Sequence, residues 1–235
     1  MNNVLFLTST VTPSVIPFAG SAEERKKEYI KAIKFYLEQT TYKILIVDNS
    51  GYDFNKEINN ERLEALSYVD STPNNKGKGY GETLLMIYGF AHSTFLRNAQ
   101  HVIKITGRHI IYNINSLLRF SKNPYAVYID CTLDFTFARS YFFVAPKKFY
   151  EEYLFPHKEQ MDDSAGIYLE HVLGGCLSRW ISDGNKCHEF LQPIHIIGRP
   201  GTSSIAYQAP GIKRKLMIII KYVLFEINMQ MAKKW

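Results

Sequence analysis

Lys43-Ile44-Leu45-Ile46-Val47-Asp48-Asn49-Ser50-Gly51 is a short apolar run that stops abruptly in four turn-forming residues. A run that is apolar at every position, not every second one, predicts a strand covered on both faces, as strands of parallel sheets are. Just upstream, Ser21 and Glu24 form a capping-box pattern that opens a helix to about Gln39, with Tyr29, Ile30, Ile33, Tyr36 and Leu37 at helical spacing. Further upstream, Val4-Leu5-Phe6-Leu7-Thr8 is another unbroken apolar run, followed by a polar, Pro-containing loop through Gly20. Strand, helix, strand with apolar strands makes a parallel βαβ unit, whose crossover is right-handed. The expected fold class is therefore α/β, with a Rossmann-like, mostly parallel sheet flanked by helices.

Downstream, Asn55–Leu66 reads as a short charged helix and Leu66–Val69 as a third strand. The glycine-rich stretch Asn74-Asn75-Lys76-Gly77-Lys78-Gly79-Tyr80-Gly81-Glu82 opens a helix expected to reach Asn98, and Val102–Ile105 follows as a strand. Ala126–Ile129 and Ser140–Val144 read as later strands, Asp163–Ile181 as a helix, and Ile194–Ile197 as a last strand before Gly198-Arg199-Pro200-Gly201-Thr202-Ser203-Ser204. In open α/β sheets ligands lie outside the carboxyl ends of the strands. Thr8, Asp48 to Ser50, and Thr106 to Arg108 all fall at such ends.

The chemistry concentrates in Lys104-Ile105-Thr106-Gly107-Arg108. Arg offers a planar two-pronged donor, Lys a point charge, and Gly lets a backbone approach closely; together they suit a diphosphate. The formal charge is +6, yet Gly211–Trp235 holds six cations (Lys213, Arg214, Lys215, Lys221, Lys233, Lys234) against Glu226 alone. The body of the chain is thus close to neutral, which argues against a nucleic-acid binder with a broad basic face. Cys131, Cys176 and Cys187 are widely spaced and read as reduced cytosolic thiols, neither a disulfide framework nor a zinc site. No basic leader with a cleavage site precedes the first strand, and no stretch of eighteen unbroken apolar residues predicts a spanning helix.

The opening strand with Thr8, the Ile-Val-Asp-Asn-Ser strand end, the Lys-Gly-Lys-Gly-Tyr-Gly-Glu loop and Lys-Ile-Thr-Gly-Arg together resemble a bacterial glycosyltransferase of the GT-A type, of the sort that builds capsule or lipopolysaccharide. The resemblance covers roughly residues 1–205. It implies a catalytic domain over 1–209 that takes a nucleotide sugar, a UDP-sugar first among them, and a glycan or lipid-linked acceptor. Thr8, Asp48 and Asn49 would hold the nucleotide, and Lys76, Gly77, Gly79, Gly81 and Glu82 would lie against the nucleotide sugar. Lys104, Thr106, Gly107, Arg108 and Arg199 would take the diphosphate. Many enzymes of this type place an Asp-x-Asp pair where this chain has Lys104 to Arg108. The departure implies metal-independent transfer, with Mg²⁺ or Mn²⁺ at Asp130 and Asp134 as the alternative. A base for the acceptor hydroxyl is sought in Met161–Glu170, with Glu170 or Asp163 in that role. The bland reading of that segment is that Asp162 and Asp163 cap a helix and Glu170 is a surface group. His195 and Arg139 are further candidates of lower rank.

Residues 210–235 alternate apolar runs with cations, too apolar for a solvated helix and too interrupted to span a bilayer. They fit an interfacial helix on an anionic membrane surface, which implies a cytoplasmic protein peripheral to the inner face of the plasma membrane. The rival is a helix packed on the domain. The rival functions are a sugar-phosphate nucleotidyltransferase, disfavoured by the character of the Val11–Gly20 loop, and a non-catalytic membrane-surface module.

Overall fold

The computed structural model describes residues 3–13, 20–69, 76–121, 123–199 and 206–232 of the 235-residue chain. The expectations for residues 14–19, for Asn74 and Asn75, for the Gly-Ser-Thr loop after Arg199 and for Lys233, Lys234 and Trp235 lie outside them. Nine strands are described: β1 (Asn3–Ser9), β2 (Lys43–Asp48), β3 (Leu63–Ser67), β4 (His101–Thr106), β5 (Ile110–Ile111), β6 (Ala126–Cys131), β7 (Ala138–Pro146), β8 (Lys186–His188) and β9 (Ile196–Ile197). The helices are α1 (Ala22–Gln39), α2 (Lys78–His92), α3 (Thr94–Arg97), α4 (Ile114–Phe120), α5 (Leu169–Ser182) and α6 (Ile212–Ala232).

Seven strands form one sheet in the order β3-β2-β1-β4-β7-β6-β8, and β5 with β9 forms a small second sheet. β1 pairs in parallel with β2 and β4, β2 with β3, and β6 with β8; within the seven-stranded sheet β7 alone runs antiparallel to its neighbours, and β5 and β9 are antiparallel to each other. The sheet is mostly parallel and flanked by helices, as the sequence leads one to expect. Val4–Leu7 and Ile44–Val47 are fully buried. The alternation resolves their burial into two layers: Val4, Phe6, Leu45 and Val47 pack in one cluster with α2 and α5, and Leu5, Leu7, Ile44 and Ile46 in another with α1. Each such side chain contributes about 1.5–3 kcal/mol by leaving water.

The Ser21–Glu24 capping box is present: the Glu24 amide donates to Ser21 Oγ, and the Ser21 amide donates to Glu24 Oε2. Three element expectations need correction. Asn55–Leu66 is not a helix but a 3-10 turn (Phe54–Lys56), a turn at Asn60 and β3, so the third strand is Leu63–Ser67. Asp53 caps the turn at Asn55, Asn60 Oδ1 accepts from the Arg62 amide, and pairing with β2 overrides local helix propensity. The helix expected to reach Asn98 ends at His92, because the Ser93 hydroxyl caps α3 and the Glu64 carboxylate accepts from the amides of Thr94 and Phe95. The helix expected from Asp163 starts at Leu169, after a 3-10 turn that Asp162 caps and Gly166 ends in the left-handed region.

α6 docks on the far end of the sheet. Phe225 and Met229 are buried in the main cluster, Lys221 pairs with Asp130 (2.6 Å) and Glu189 (2.7 Å), and Glu226 accepts from His188 Nδ1 (2.8 Å). Its other face leaves Leu216, Met217, Ile219, Ile220, Val223, Leu224 and Ile227 exposed.

Candidate active site

Parallel pairing brings the carboxyl ends of β2, β1 and β4 side by side: Ser9 lies opposite Asp48, and Thr8 opposite Thr106. Gly107 continues this alignment. Its amide donates to the Thr8 carbonyl (3.0 Å), and a Cβ there would sit 2.5 Å from that oxygen, so only glycine lets β1 and β4 stay together past their ends.

Asp48 is fully buried and its carboxylate is saturated. One oxygen accepts from Ser9 Oγ and the Val11 amide, the other from Ser50 Oγ and the amides of Ser50 and Tyr52. Asp48 thus organises the strand-end loops from inside, and Asn49 Oδ1 accepts from Thr10 Oγ1 beside it (2.7 Å).

Lys104 is likewise fully enclosed. Its ammonium pairs with Glu82 Oε1 (2.7 Å) and donates to the carbonyl of Ser140 and to Thr106 Oγ1 (3.3 Å). Glu82 Oε1 also accepts from Thr8 Oγ1 (2.7 Å). Burial pushes the Glu82 carboxyl up, but the Lys104 charge and the Lys104 and Thr8 hydrogen bonds outweigh it and hold the group below the usual carboxylate range. Thr8, Glu82, Lys104 and Thr106 are therefore one internal network beneath the strand ends.

The glycine-rich loop packs against the segment that leads into α5. Gly77 has φ +101°, and a Cβ on it would lie 2.2 Å from Asp163 Cγ; a Cβ on Gly79 would lie 2.9 Å from the Leu169 amide nitrogen. Asp163 Oδ2 accepts from the Lys78 amide (2.8 Å), so this carboxylate caps α2. Gly81 lies within the first turn of α2, its amide donating to the Gly77 carbonyl, and Lys76 pairs with Glu159 at the rim.

Arg108 and Arg199 converge. Both bind Glu28 of α1, Arg108 through Oε2 (3.3 Å) and Arg199 through Oε1 (3.1 Å). Arg108 is nearly enclosed, whereas Arg199 is about one-third exposed. Between them, His109 donates from Nε2 to the Arg199 carbonyl (3.1 Å), which leaves Nδ1 as a bare, buried lone pair. Burial, together with the Arg108 and Lys104 charges and against the pull of that carbonyl, lowers its imidazole to about 4. Tyr207 closes this side: its ring meets that of His109 (5.3 Å), and its hydroxyl has Arg139, Arg108 and Glu170 as electrostatic neighbours.

Glu170, in the first turn of α5, accepts from Ser140 Oγ (2.6 Å) and is partly exposed. His195 sits elsewhere, its backbone bound to Asn113 and its ring against Tyr112. The carboxylates offered for a divalent ion have other partners: Asp130 lies between Arg139 (3.2 Å) and Lys221, and Asp134 accepts from Thr136. Among the described residues no three His, Cys, Asp or Glu side chains gather as a metal-binding set, and Asp130, already matched by two cations, does not fit a divalent ion. All three cysteines are buried, with burial pushing their thiols up.

Glu28 and Tyr207 were not singled out by sequence reasoning. Glu28 is one acid among many in a charged helix, and Tyr207 one of 16 tyrosines, so neither carried a signal. No family model matches the sequence, and no curated protein matches it. Among solved structures, the chain is similar to a protein from Desulfovibrio desulfuricans G20 provisionally described as a nucleotide-diphospho-sugar transferase, with TM-score 0.48 and 9% identity over 80% of this chain and 79% of that one. It is also similar to the mannosyltransferase Ktr4p of S. cerevisiae, with TM-score 0.46 and 8% identity over 94% of this chain and 81% of that one. Likenesses this distant leave the function to be argued from the site.

Proposed function

We propose that the chain is a glycosyltransferase that moves a sugar from a nucleotide-sugar donor, a UDP-sugar first among them, to a glycan or lipid-linked acceptor in the building of a surface glycan. The observation that supports it is the convergence of Arg108 and Arg199 on Glu28 just past the end of β4, with Tyr207 against His109 beside them and Glu170 held on Ser140 of the neighbouring β7. An acceptor hydroxyl oxygen attacks the anomeric carbon, and the bond to the diphosphate breaks with its electron pair leaving on the diphosphate. The hydroxyl proton passes to the Glu170 carboxylate. Arg108 and Arg199, drawn from Glu28 towards the departing charge, stabilise it electrostatically without a metal ion. Asp163 is less suited as the base because it caps α2.

Asp48 acts by fixing the loops that meet the nucleotide, and the Lys104–Glu82 network by fixing β1, β4 and Ser140 beneath it. No helix among the described residues is long and apolar enough to cross a membrane. The exposed apolar face of α6 instead lies on an anionic bilayer surface, where the sequence places Lys213, Arg214 and Lys215 at one end of the helix.

The test is a melting-temperature panel of UDP, GDP and CMP and their sugars, each with Mn²⁺ and with EDTA, on the wild type and on Glu170→Gln. A ligand bound only by the native state raises apparent stability by mass action. A shift with one nucleotide that persists in EDTA, kept in Glu170→Gln while sugar transfer is lost, is the expected result. No shift with any nucleotide would overturn the reading in favour of a non-catalytic module. Release of pyrophosphate from a nucleoside triphosphate and a sugar phosphate would replace it by a nucleotidyltransferase.

A further inference from the structure

Between the β6–β7 hairpin and α6 lies a cavity of about 110 Å³ lined by Asp130, Cys131, Thr132, Phe137, Arg139 and Lys221. Arg139 of its lining is the chain neighbour of Ser140, which holds Glu170. Because β7 stands between β4 and β6, Ser140 is the dividing post. Its carbonyl takes the ammonium of Lys104 from the β4 side, its hydroxyl holds Glu170, and the adjacent residue, Arg139, reaches Asp130 on the β6 side. Tyr207, against His109 on the Arg108 side, also meets Tyr141 (6.3 Å), whose hydroxyl donates to Asp130 (3.4 Å), so the cavity adjoins the Arg108–Arg199 site.

The charges of the cavity are matched. Arg139 and Lys221 face Asp130, and Lys221 also faces Glu189, so two cations meet two carboxylates. Such a site has no net pull on an anion or a cation. It is instead dense in directional groups: half-exposed Arg139 as a planar donor and Asp130 as an acceptor. Beside them stands the partly exposed ring of Phe137, braced edge-on by His171 (5.3 Å, 83°). Donors and acceptors in balance next to one apolar ring face match a neutral polyhydroxylated ring, whose hydroxyls both give and take hydrogen bonds and whose C–H face is apolar.

We propose that this cavity is the subsite for the acceptor sugar, and that α6, through Lys221, forms its outer wall. The proposal rests on the glycosyl-transfer reading and lets α6 act in two ways, since the helix face that meets the lipid surface backs onto the face that shapes the acceptor site. A lipid-linked glycan would then reach Glu170 along α6.

The experiment is saturation-transfer NMR on the full chain with the methyl glycosides of glucose, galactose, mannose and N-acetylglucosamine, each with and without UDP, in the wild type, Phe137→Ala and Arg139→Gln. At least one glycoside receives saturation in the wild type, and each substitution weakens its binding by about tenfold, the loss of one charge-assisted hydrogen bond or one stacking face. The nucleotide-induced rise in melting temperature persists in both variants, which shows that they fold and that the donor side is intact. No signal from any glycoside, or a signal undiminished in both variants, overturns the proposal. A glycoside signal without any nucleotide shift sinks the donor reading and leaves the subsite standing; a nucleotide shift without glycoside binding does the reverse.

Discussion

Replacing Lys104 by Met tests whether the lysine is part of the architecture. Met has a similar length and an apolar stem, so the substitution removes the charge with little change in volume. Glu82, its side chain one-fifth exposed, is then left accepting only from Thr8 and Thr106, and the Ser140 carbonyl loses its donor. Stranding one member of a buried ion pair costs about 3–5 kcal/mol, which for a chain of this size lowers the melting temperature by roughly 10 °C. In the wild type the Glu82 carboxyl is depressed, so its contribution to stability is present above the unfolded carboxylate range and is lost as pH falls through the folded value. In Lys104→Met the sign reverses. The carboxyl is raised by uncompensated burial, and the variant recovers part of its deficit as the pH is lowered from 7 to 5. Urea melts at both pH values measure this directly. Adding Glu82→Gln keeps an acceptor for Thr8 and removes the stranded charge, so the double variant should regain at least half of the loss. A single variant within about 1 kcal/mol of wild type, or a double variant no better than the single, would refute the reasoning.

Two other outcomes follow from the same structure. His109 is neutral in the folded protein with its imidazole lowered to about 4 among Lys104, Arg108, Glu82 and Tyr207; the unfolded chain therefore binds a proton that the folded one refuses. Stability is full above the unfolded value near 6.5 and falls by about 3 kcal/mol between there and pH 4, and His109→Gln flattens that part of a melting-temperature profile; an unchanged slope would contradict the burial argument. Ile219→Ser with Val223→Ser strips the exposed face of α6 without touching Phe225 or Met229, and sedimentation with anionic liposomes should fall several-fold at unchanged melting temperature; equal sedimentation would leave α6 without a lipid partner.

The parallel half of the sheet was legible because its signals are local: unbroken apolar runs, a capping box and turn residues at strand ends. The stretch after β2 was misjudged for an equally physical reason. Its charges suit a helix, but the open edge of β2 needs a strand, and that requirement is absent from residues 55–66 themselves. The candidate residues were legible by place more than by role. The strand ends do gather Thr8, Asp48, Thr106 and Arg108, yet Lys104 and Asp48 turn inward, because their partners Glu82, Ser140, Ser9 and Val11 are brought to them by sheet register and helix packing. Glu28 and Tyr207 approach Arg108 from 80 and about a hundred residues away in sequence, a distance over which no spacing rule operates.

The turn from Thr132 to Phe137 closes on its own bonds. Thr132 exchanges hydrogen bonds with Phe137, Asp134 accepts from Thr136, and Phe135 takes a left-handed backbone at φ 56°. Its ends are fixed where Cys131 pairs with Ala138. A segment so self-contained can be exchanged as a cassette, provided the replacement keeps the Phe135 carbonyl clear of Gly174 and an apolar side chain against Phe225. On the proposed acceptor subsite, six consecutive codons are enough to change the sugar that related chains take, while the strand ends across the sheet are inherited unchanged.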